Sequence, residues 1–251
     1  MATVDKAELL DTCLLAGRIM IEGGSEMYRV DDTMARIIDN AGVRGVSLFT
    51  TPTGIVAGLN NQQYVQVRQI QRREIDLEKV SRVNQLSREF AAGQLTLAEL
   101  HHHLRALALH VPFFPMWLQI IGAGVLSATM MVVFTQRYDW FDIPIAAVAG
   151  IVGFLVSTYI SRVTNVRFVA ELAGSLALAL VTLVACKVGW GLNPDNILIG
   201  AVMPMVPGVA ITNSIRDMMA GHLLTGLARG MEAVLTACAI GFGIAVVLPY
   251  F

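Results

Sequence analysis

The residues whose types and spacing suit chemistry gather at 203–217, Met-Pro-Met-Val-Pro-Gly-Val-Ala-Ile-Thr-Asn-Ser-Ile-Arg-Asp. An apolar run over 197–203 leads into two prolines, Pro204 and Pro207, followed by Gly208. Proline removes a backbone donor and clashes with the preceding turn, so a helix through this stretch breaks or kinks. In hydrocarbon, the freed carbonyls and amides are tolerated only where protein or a water-filled cavity satisfies them. Half-helix ends near mid-membrane hold polar solutes in secondary transporters. Asn213, Arg216 and Asp217 follow on the same segment, and Asn213 and Asp217 are four apart and share a helical face. The stretch reads as a transport site. The alternative is a structural proline kink, with Arg216 and Asp217 as ordinary interfacial charges.

Carboxylates inside apolar spans are costly and are functional candidates by default. Glu171 sits about a turn inside one such span, and a membrane carboxylate with a raised pKa suits a coupling proton. Glu232 opens the last span three residues after Arg229. An intrahelical Arg229–Glu232 pair is its simple structural reading, and proton or substrate work is the other.

These candidates must be positioned by a chain of two characters. Of 251 residues, 55% are hydrophobic, and mean hydropathy is +0.61. Residues 1–110 carry 12 of the 18 Lys+Arg and 13 of the 19 Asp+Glu. That shift marks a water-soluble domain over 1–110 and a membrane domain over 111–251. The net charge of -1 offers no basic field for nucleic acid. The first residues lack a charged-then-apolar pattern, so no cleaved leader is expected. Cys13, Cys186 and Cys238 are scattered and read as reduced structural thiols, without disulfide or metal spacing.

In the membrane half, Pro112 and Pro115 flank Phe113-Phe114 at the corner into the bilayer. A span needs about 20 mainly apolar residues, and five stretches qualify: 116–135, 143–161, 168–187, 197–211 and 231–248. The fourth is short, which again singles out Pro204 and Pro207. Arg162, Arg167, Arg216 and Arg229 fall in loops on the side of the N-terminal domain. Arg137 and Lys187 fall on the other side, beside Asp139, Asp142 and Asp195. This bias favours an N-terminus inside and a C-terminus outside. Glycine pairs such as Gly122/Gly124, Gly150/Gly153, Gly226/Gly230 and Gly241/Gly243 suit close helix packing.

Residues 1–110 read as a small α+β domain, helix-helix-strands-helix-helix. The first helix covers 7–22, with Leu10, Leu14, Gly17 and Ile21 on one stripe. Ser25 is the expected N-cap of a second helix ending at Asn40, with Met27, Val30, Met34, Ile37 and Ile38 inward. Strand-like runs over 45–50, 53–59 and 64–70 are separated by Thr51-Pro52 and Asn60-Asn61. Helices over 76–92 and 96–110 follow, and Thr96 with Glu99 forms a capping box. The polar and charged residues around the first turn, Glu22, Ser25, Glu26, Arg29, Asp31 and Asp32, are candidates for chemistry, and Glu22, Glu26 and Arg29 read most simply as solvated surface. His101, His102 and His103 point to different helical faces, and His103 with His110 makes two ligands, too few for a metal site. No nucleophile-base pair, phosphate loop or dinucleotide fingerprint appears, so neither enzyme nor cofactor is expected.

Taken together, Pro204-Met-Val-Pro207-Gly208, Asn213, Arg216-Asp217, Gly221, Gly226 and Ala228-Arg229 resemble the signature of the threonine/serine exporter (ThrE) family. The run Ala16-Gly17, Gly24, Tyr28-Arg29-Val30 and Gly42 looks like that family's opening helix pair. The resemblance covers essentially the whole chain. It implies a cytoplasmic N-terminal domain and a multi-pass inner-membrane domain that exports small hydrophilic solutes on the proton gradient. Full-length members carry two membrane halves. This chain carries one and resembles the large subunit of the split, YjjP-like type, which works with a small membrane subunit. Some split members are associated with succinate export. The leading expectation is therefore proton-driven export of L-threonine or L-serine, alone, as a homo-oligomer or with a small membrane subunit. In it, Pro204, Pro207 and Gly208 shape the break, Asn213 and Arg216 contact the solute, and Asp217, Glu171 or Glu232 handles protons. The alternatives are a dicarboxylate exporter subunit, a membrane-anchored enzyme and a non-transporting scaffold subunit.

Overall fold

A computed structural model describes residues 5–43, 45–59, 65–70, 75–109, 114–164 and 167–251, the side chains of Leu59 and Arg167 excepted. The Asn60-Asn61 turn, Tyr64, His110 and the Pro112-Phe113 part of the corner lie outside the described residues. The chain forms two compact units. One joins Met1–Pro112 to Val209–Gly230, and the other joins Phe113–Gly208 to Met231–Phe251. Residues 209–230, grouped by composition with the membrane half, thus belong to the same compact unit as the N-terminal segment.

The first unit holds α1 (Lys6–Glu22), α2 (Met27–Asn40), β1 (Val46–Thr51), β2 (Gly54–Leu59), β3 (Val65–Gln69), α3 (Leu77–Ala91) and α4 (Leu97–Leu109). Asp5 caps α1 by accepting from the Ala7 amide at 2.9 Å. Leu9, Leu10, Cys13, Leu14, Ala16, Ile19, Met20 and Ile21 are all buried, so α1 is apolar over far more than one stripe. A helix apolar over most of its circumference belongs at a centre, and α1 packs against α2, α3, α4 and the sheet. A Cβ at Gly17 would land on Met34 Sδ and close on Ile55 Cδ1, so any larger residue would have to displace those side chains. The five α2 residues expected inward are all buried.

The strands form an antiparallel meander in the order β1-β2-β3. Thr51 closes the first turn, its hydroxyl accepting from the Gly54 amide at 3.0 Å. Ile55 and Ala57 turn inward, while Phe49 and Val67, both in register with Val56, lie on the outer face. The Thr96–Glu99 capping box forms as expected: Glu99 accepts from the Thr96 amide at 2.8 Å and Thr96 Oγ1 from the Glu99 amide at 3.3 Å. His101 Nδ1 lies 3.0 Å from Thr12 Oγ1, tying α4 to α1.

The second unit holds α5 (Met116–Thr135), α6 (Asp142–Thr164), α7 (Arg167–Val188), α8 (Pro194–Val202), a 3-10 turn (Met203–Met205) and the later part of α10 (Leu223–Val247). The remaining helix, α9 (Gly208–Met219), lies in the first unit from Val209 onward. Among the described residues, four helices are long and apolar enough to cross a membrane: Met116–Thr135, Asp142–Thr164, Phe168–Val188 and Leu223–Tyr250. Pro194–Met205 with Gly208–Met219 adds a fifth only where that interrupted pair is counted as one span. The last span starts eight residues earlier than its apolar run, because Leu223 to Gly230 is already helical.

Glycines set the helix spacing in this unit. A Cβ at Gly150 would fall on Ser127 Oγ, at Gly243 on Ser175 Oγ, and at Gly153 on Leu178. Small residues let backbones approach where lipid supplies no hydrophobic drive between helices. Gly122 and Gly241 meet nothing within 4 Å, so of those two pairs only Gly124 and Gly243 pack closely. Asp142, read as a loop charge, is fully buried at the start of α6. Its carboxylate accepts from the Leu192 amide at 2.7 Å and the Asn193 amide at 3.1 Å, fixing the α7–α8 connection.

Candidate transport site

The proline segment is broken as its composition predicts. Pro204 lies in the 3-10 turn, and Val206 leaves helical geometry at φ -64 and ψ 127. The Gly208 amide donates to the Val206 carbonyl at 2.8 Å, and α9 begins there. Within the second unit, Met205 lies beside Gly174 of α7, where a Cβ would meet Met205 Cε, Ser157 Cβ and the Gly153 carbonyl. One turn before Gly174, Glu171 accepts a hydrogen bond from Ser157 Oγ of α6 at 3.3 Å. This partner of Glu171 is thus on a neighbouring helix, where helical spacing cannot reveal it. Glu232 lies half-buried on α10.

In the first unit, α9 buries Asn213, Ser214 and Asp217, so the expected shared face exists. The helix ends at Gly221, whose φ of +90 is the left-handed geometry that glycine adopts at low cost. The His222 amide donates to the Asp217 carbonyl and the Gly221 amide to the Met218 carbonyl, a Schellman ending. The chain then reverses into α10. A Cβ at Gly226 would strike Met218, and one at Gly230 would close on Ser214 Oγ, which itself donates to the Gly226 carbonyl at 2.9 Å. The Gly226/Gly230 pair is therefore the seam of an α9–α10 hairpin.

That seam aims four polar side chains at one corner, the α1–α2 turn at 23–27. Gly24, at φ +81, completes a second Schellman ending, with Ser25 donating to the Met20 carbonyl. Asn213 Nδ2 donates to the Gly24 carbonyl at 2.9 Å, and Arg229 Nη2 donates to the Ser25 carbonyl at 2.8 Å. Asp217 accepts from the Met27 amide at 2.7 Å through one oxygen and from Arg229 Nη1 at 2.9 Å through the other. Arg216 Nη1 donates to Glu26 Oε1 at 2.7 Å, and Glu26 Oε2 lies 3.5 Å from Arg29 Nε.

Two readings from the sequence change here, and Arg229 gains partners beyond its own helix. Ser25 is not the cap of α2: Glu26 stands at the N-cap position without a side-chain bond, and Asp217 satisfies the Met27 amide. A carboxylate at a helix N-terminus also meets the positive end of the helix dipole. Glu26 is not solvated surface but buried. Burial pushes its carboxyl up, but its own backbone amide, the Arg216 hydrogen bond and the charges of Arg29 and Arg216 outweigh that and hold it below its ordinary value. Arg229 reaches Asp217 and Ser25, contacts that its spacing from Glu232 does not suggest.

The two ion pairs differ in kind. Asp217 and Arg229 have side chains 0% and 8% exposed, whereas Arg216 is 57% exposed and Glu26 11%. Breaking a buried pair by removing one partner costs about 3–5 kcal/mol. A pair with one member in solvent is worth about 0–1 kcal/mol. Asp217–Arg229 is therefore the fixed element, and Arg216 is the exposed partner of the second pair. Beside them, Asp31 accepts from Thr50 Oγ1 at 2.7 Å and lies 3.7 Å from His222 Nε2. Burial raises the Asp31 carboxyl, with the Asp217 charge adding to the rise and Thr50 and His222 opposing it. His222 and Ser157 are not among the candidates the sequence offers, Arg229 enters only through the family resemblance, and Glu26 and Asp31 enter only as acidic groups around the first turn. Only the i, i+3 spacing of Glu26 and Arg29 hinted at a pair.

The family profile described as "Putative threonine/serine exporter" matches residues 11–250. A "Probable threonine/serine exporter" of Mycobacterium tuberculosis is 22% identical over 96% of this chain and 46% of its own length. An uncharacterized protein of Schizosaccharomyces pombe is 21% identical over 91% of this chain and 31% of its own. The chain thus spans less than half the length of these two relatives. The "Probable succinate transporter subunit YjjP" of Escherichia coli is 22% identical over 99% of this chain and 96% of its own length. No solved structure matches. With a profile match over nearly its whole length, this chain belongs to the threonine/serine exporter family.

Proposed function

We propose that this chain is the large subunit of a secondary exporter that moves small hydrophilic carboxylates, L-threonine and L-serine first, out of the cell on the proton gradient. The observation that carries the reading is the solvent-exposed Arg216, held on a buried polar frame on α9 and following the Pro204–Pro207 break. A guanidinium offers a planar two-donor fork that fits a carboxylate. Asn213 and Asp217 spend their polar atoms on the 23–27 corner, which supports a role in holding α9 in place. Asp217 serves as a fixed anion, and coupling protons fall to Glu171 beside Ser157. Glu232 is the second candidate. Residues 1–110 face the cytoplasm, the spans lie in the inner membrane, and a small membrane subunit or a second copy completes the pathway. The near full-length match to a succinate transporter subunit favours dicarboxylates as the second reading.

The test is export of serine and threonine from dipeptide-loaded cells, with and without the chain and a candidate small subunit, alongside Glu171→Gln and a collapsed proton gradient. Efflux that needs the chain, the gradient and Glu171 supports the reading. Efflux of succinate alone selects the second reading, and no efflux of any of the three refutes both.

A further inference from the structure

Arg216 already holds a carboxylate. Its Nη1 donates to Glu26 Oε1 at 2.7 Å, and no described residue accepts from its Nε or Nη2. Glu26 is buried, while the Arg216 side chain is 57% exposed. A carboxylate solute therefore meets the guanidinium and not the glutamate. Whether it takes the Nη1 edge or the open Nε/Nη2 edge, it must share one positive charge with the Glu26 anion. Glu26 also has a second cation within reach, with Arg29 Nε 3.5 Å from its other oxygen. Loosening the bond to Arg216 thus leaves Glu26 compensated.

We propose that Glu26 is a built-in competitor for Arg216, the intramolecular anion that a carboxylate solute must outbid, with Arg29 holding Glu26 when Arg216 is given up. The inference rests on the carboxylate-export reading and adds a residue that sets solute affinity. It also assigns Arg29 a role opposite in sign to that of Glu26. The geometry disfavours Glu26 as the receptor for a solute ammonium: both its oxygens face cations and its side chain is only 11% exposed.

The test is uptake of labelled threonine, serine and succinate into inverted membrane vesicles carrying the full chain and a candidate small subunit. Wild type, Glu26→Gln, Glu26→Asp and Arg29→Gln are compared. For whichever carboxylate wild type moves, Glu26→Gln lowers the half-saturating concentration by about two- to fivefold, the range set by a partly exposed ion pair. Arg29→Gln raises it by a similar factor, Glu26→Asp stays near wild type, and maximal rates change little. A merely structural role for Glu26 does not produce opposite shifts from the two variants. Glu26→Gln leaving the value unchanged, or raising it for threonine as loss of an ammonium receptor would, overturns the inference while export stands. If Glu26→Gln fails to reach the membrane, the half-exposed Arg29 decides: an unchanged value for Arg29→Gln overturns it equally. Wild-type vesicles that move none of the three solutes overturn the export reading and this inference with it.

Discussion

Replacing Asp217 by asparagine keeps the shape of a fully buried side chain and removes its charge. The carboxylate serves two donors at once, the Met27 amide at 2.7 Å and Arg229 Nη1 at 2.9 Å. Asparagine has one acceptor oxygen. If that oxygen keeps the Met27 amide, its NH₂ group confronts Arg229 Nη1, a donor against a donor. The Arg229 guanidinium, 8% exposed, then retains the Ser25 carbonyl but loses the Asp217 charge. Breaking a buried pair in this way costs about 3–5 kcal/mol, and the retained Met27 bond places the loss near the lower end. At about 2–4 °C per kcal/mol for a chain of this size, the melting temperature in detergent falls by roughly 6–12 °C. Arg229→Met leaves the mirror defect, a buried carboxylate on one amide, and falls by a similar amount. The double variant Asp217→Asn/Arg229→Met loses less than the sum of the singles, because each single is penalised for the partner it strands. Thermal melts of all four proteins, read by monodisperse elution after heating, give the cycle. A single variant within about 2 °C of wild type, or a double variant that is simply additive, refutes the claim that this pair is the fixed element of the hairpin.

Other outcomes follow from the same geometry. Gly221→Ala forces a Cβ into φ +90 and costs about 1–2 kcal/mol, seen as a lower melting temperature with wild-type half-saturation for export. Gly150→Val drives bulk into Ser127 and the Ala201 carbonyl and costs about 1–3 kcal/mol or more, read as reduced membrane yield, whereas Gly122→Ala, open to 4 Å, leaves yield unchanged. Glu26 has a folded-state carboxyl below its ordinary value. The stability it contributes is complete above the unfolded carboxylate range and is lost as pH falls through the folded value. Glu26→Gln therefore flattens the acid limb of a melting-temperature profile, and an unchanged acid limb contradicts the assignment.

Local signals in this chain were legible because they act over a few residues. The first span, 116–135, coincides with α5, since apolar length alone decides a membrane helix. Thr96 and Glu99 cap α4 because both partners lie within one turn. Pro204 and Pro207 interrupt the fourth span because a ring without an N–H cannot continue a helix. Asn213 and Asp217 share a buried face by the helical period alone.

What the fold alone decided is which partners those residues meet. Nothing near Met27 reveals that its amide is capped by Asp217, 190 residues away. Ser25 looked like the cap because serine is a good one, yet its hydroxyl donates to the Glu26 carbonyl at 3.3 Å and a distant carboxylate occupies the capping position. Glu26 and Arg29 looked like a solvated pair, and only the return of α9 to the 23–27 corner buries Glu26 against Arg216. Composition placed 209–230 with the membrane half, whereas the contacts of that hairpin place it with the N-terminal unit. Periodicity, caps and breakers are properties of adjacent residues and are written in their order. A buried charge finds its counter-ion across the closed fold, and that pairing exists only once both have been withdrawn from water.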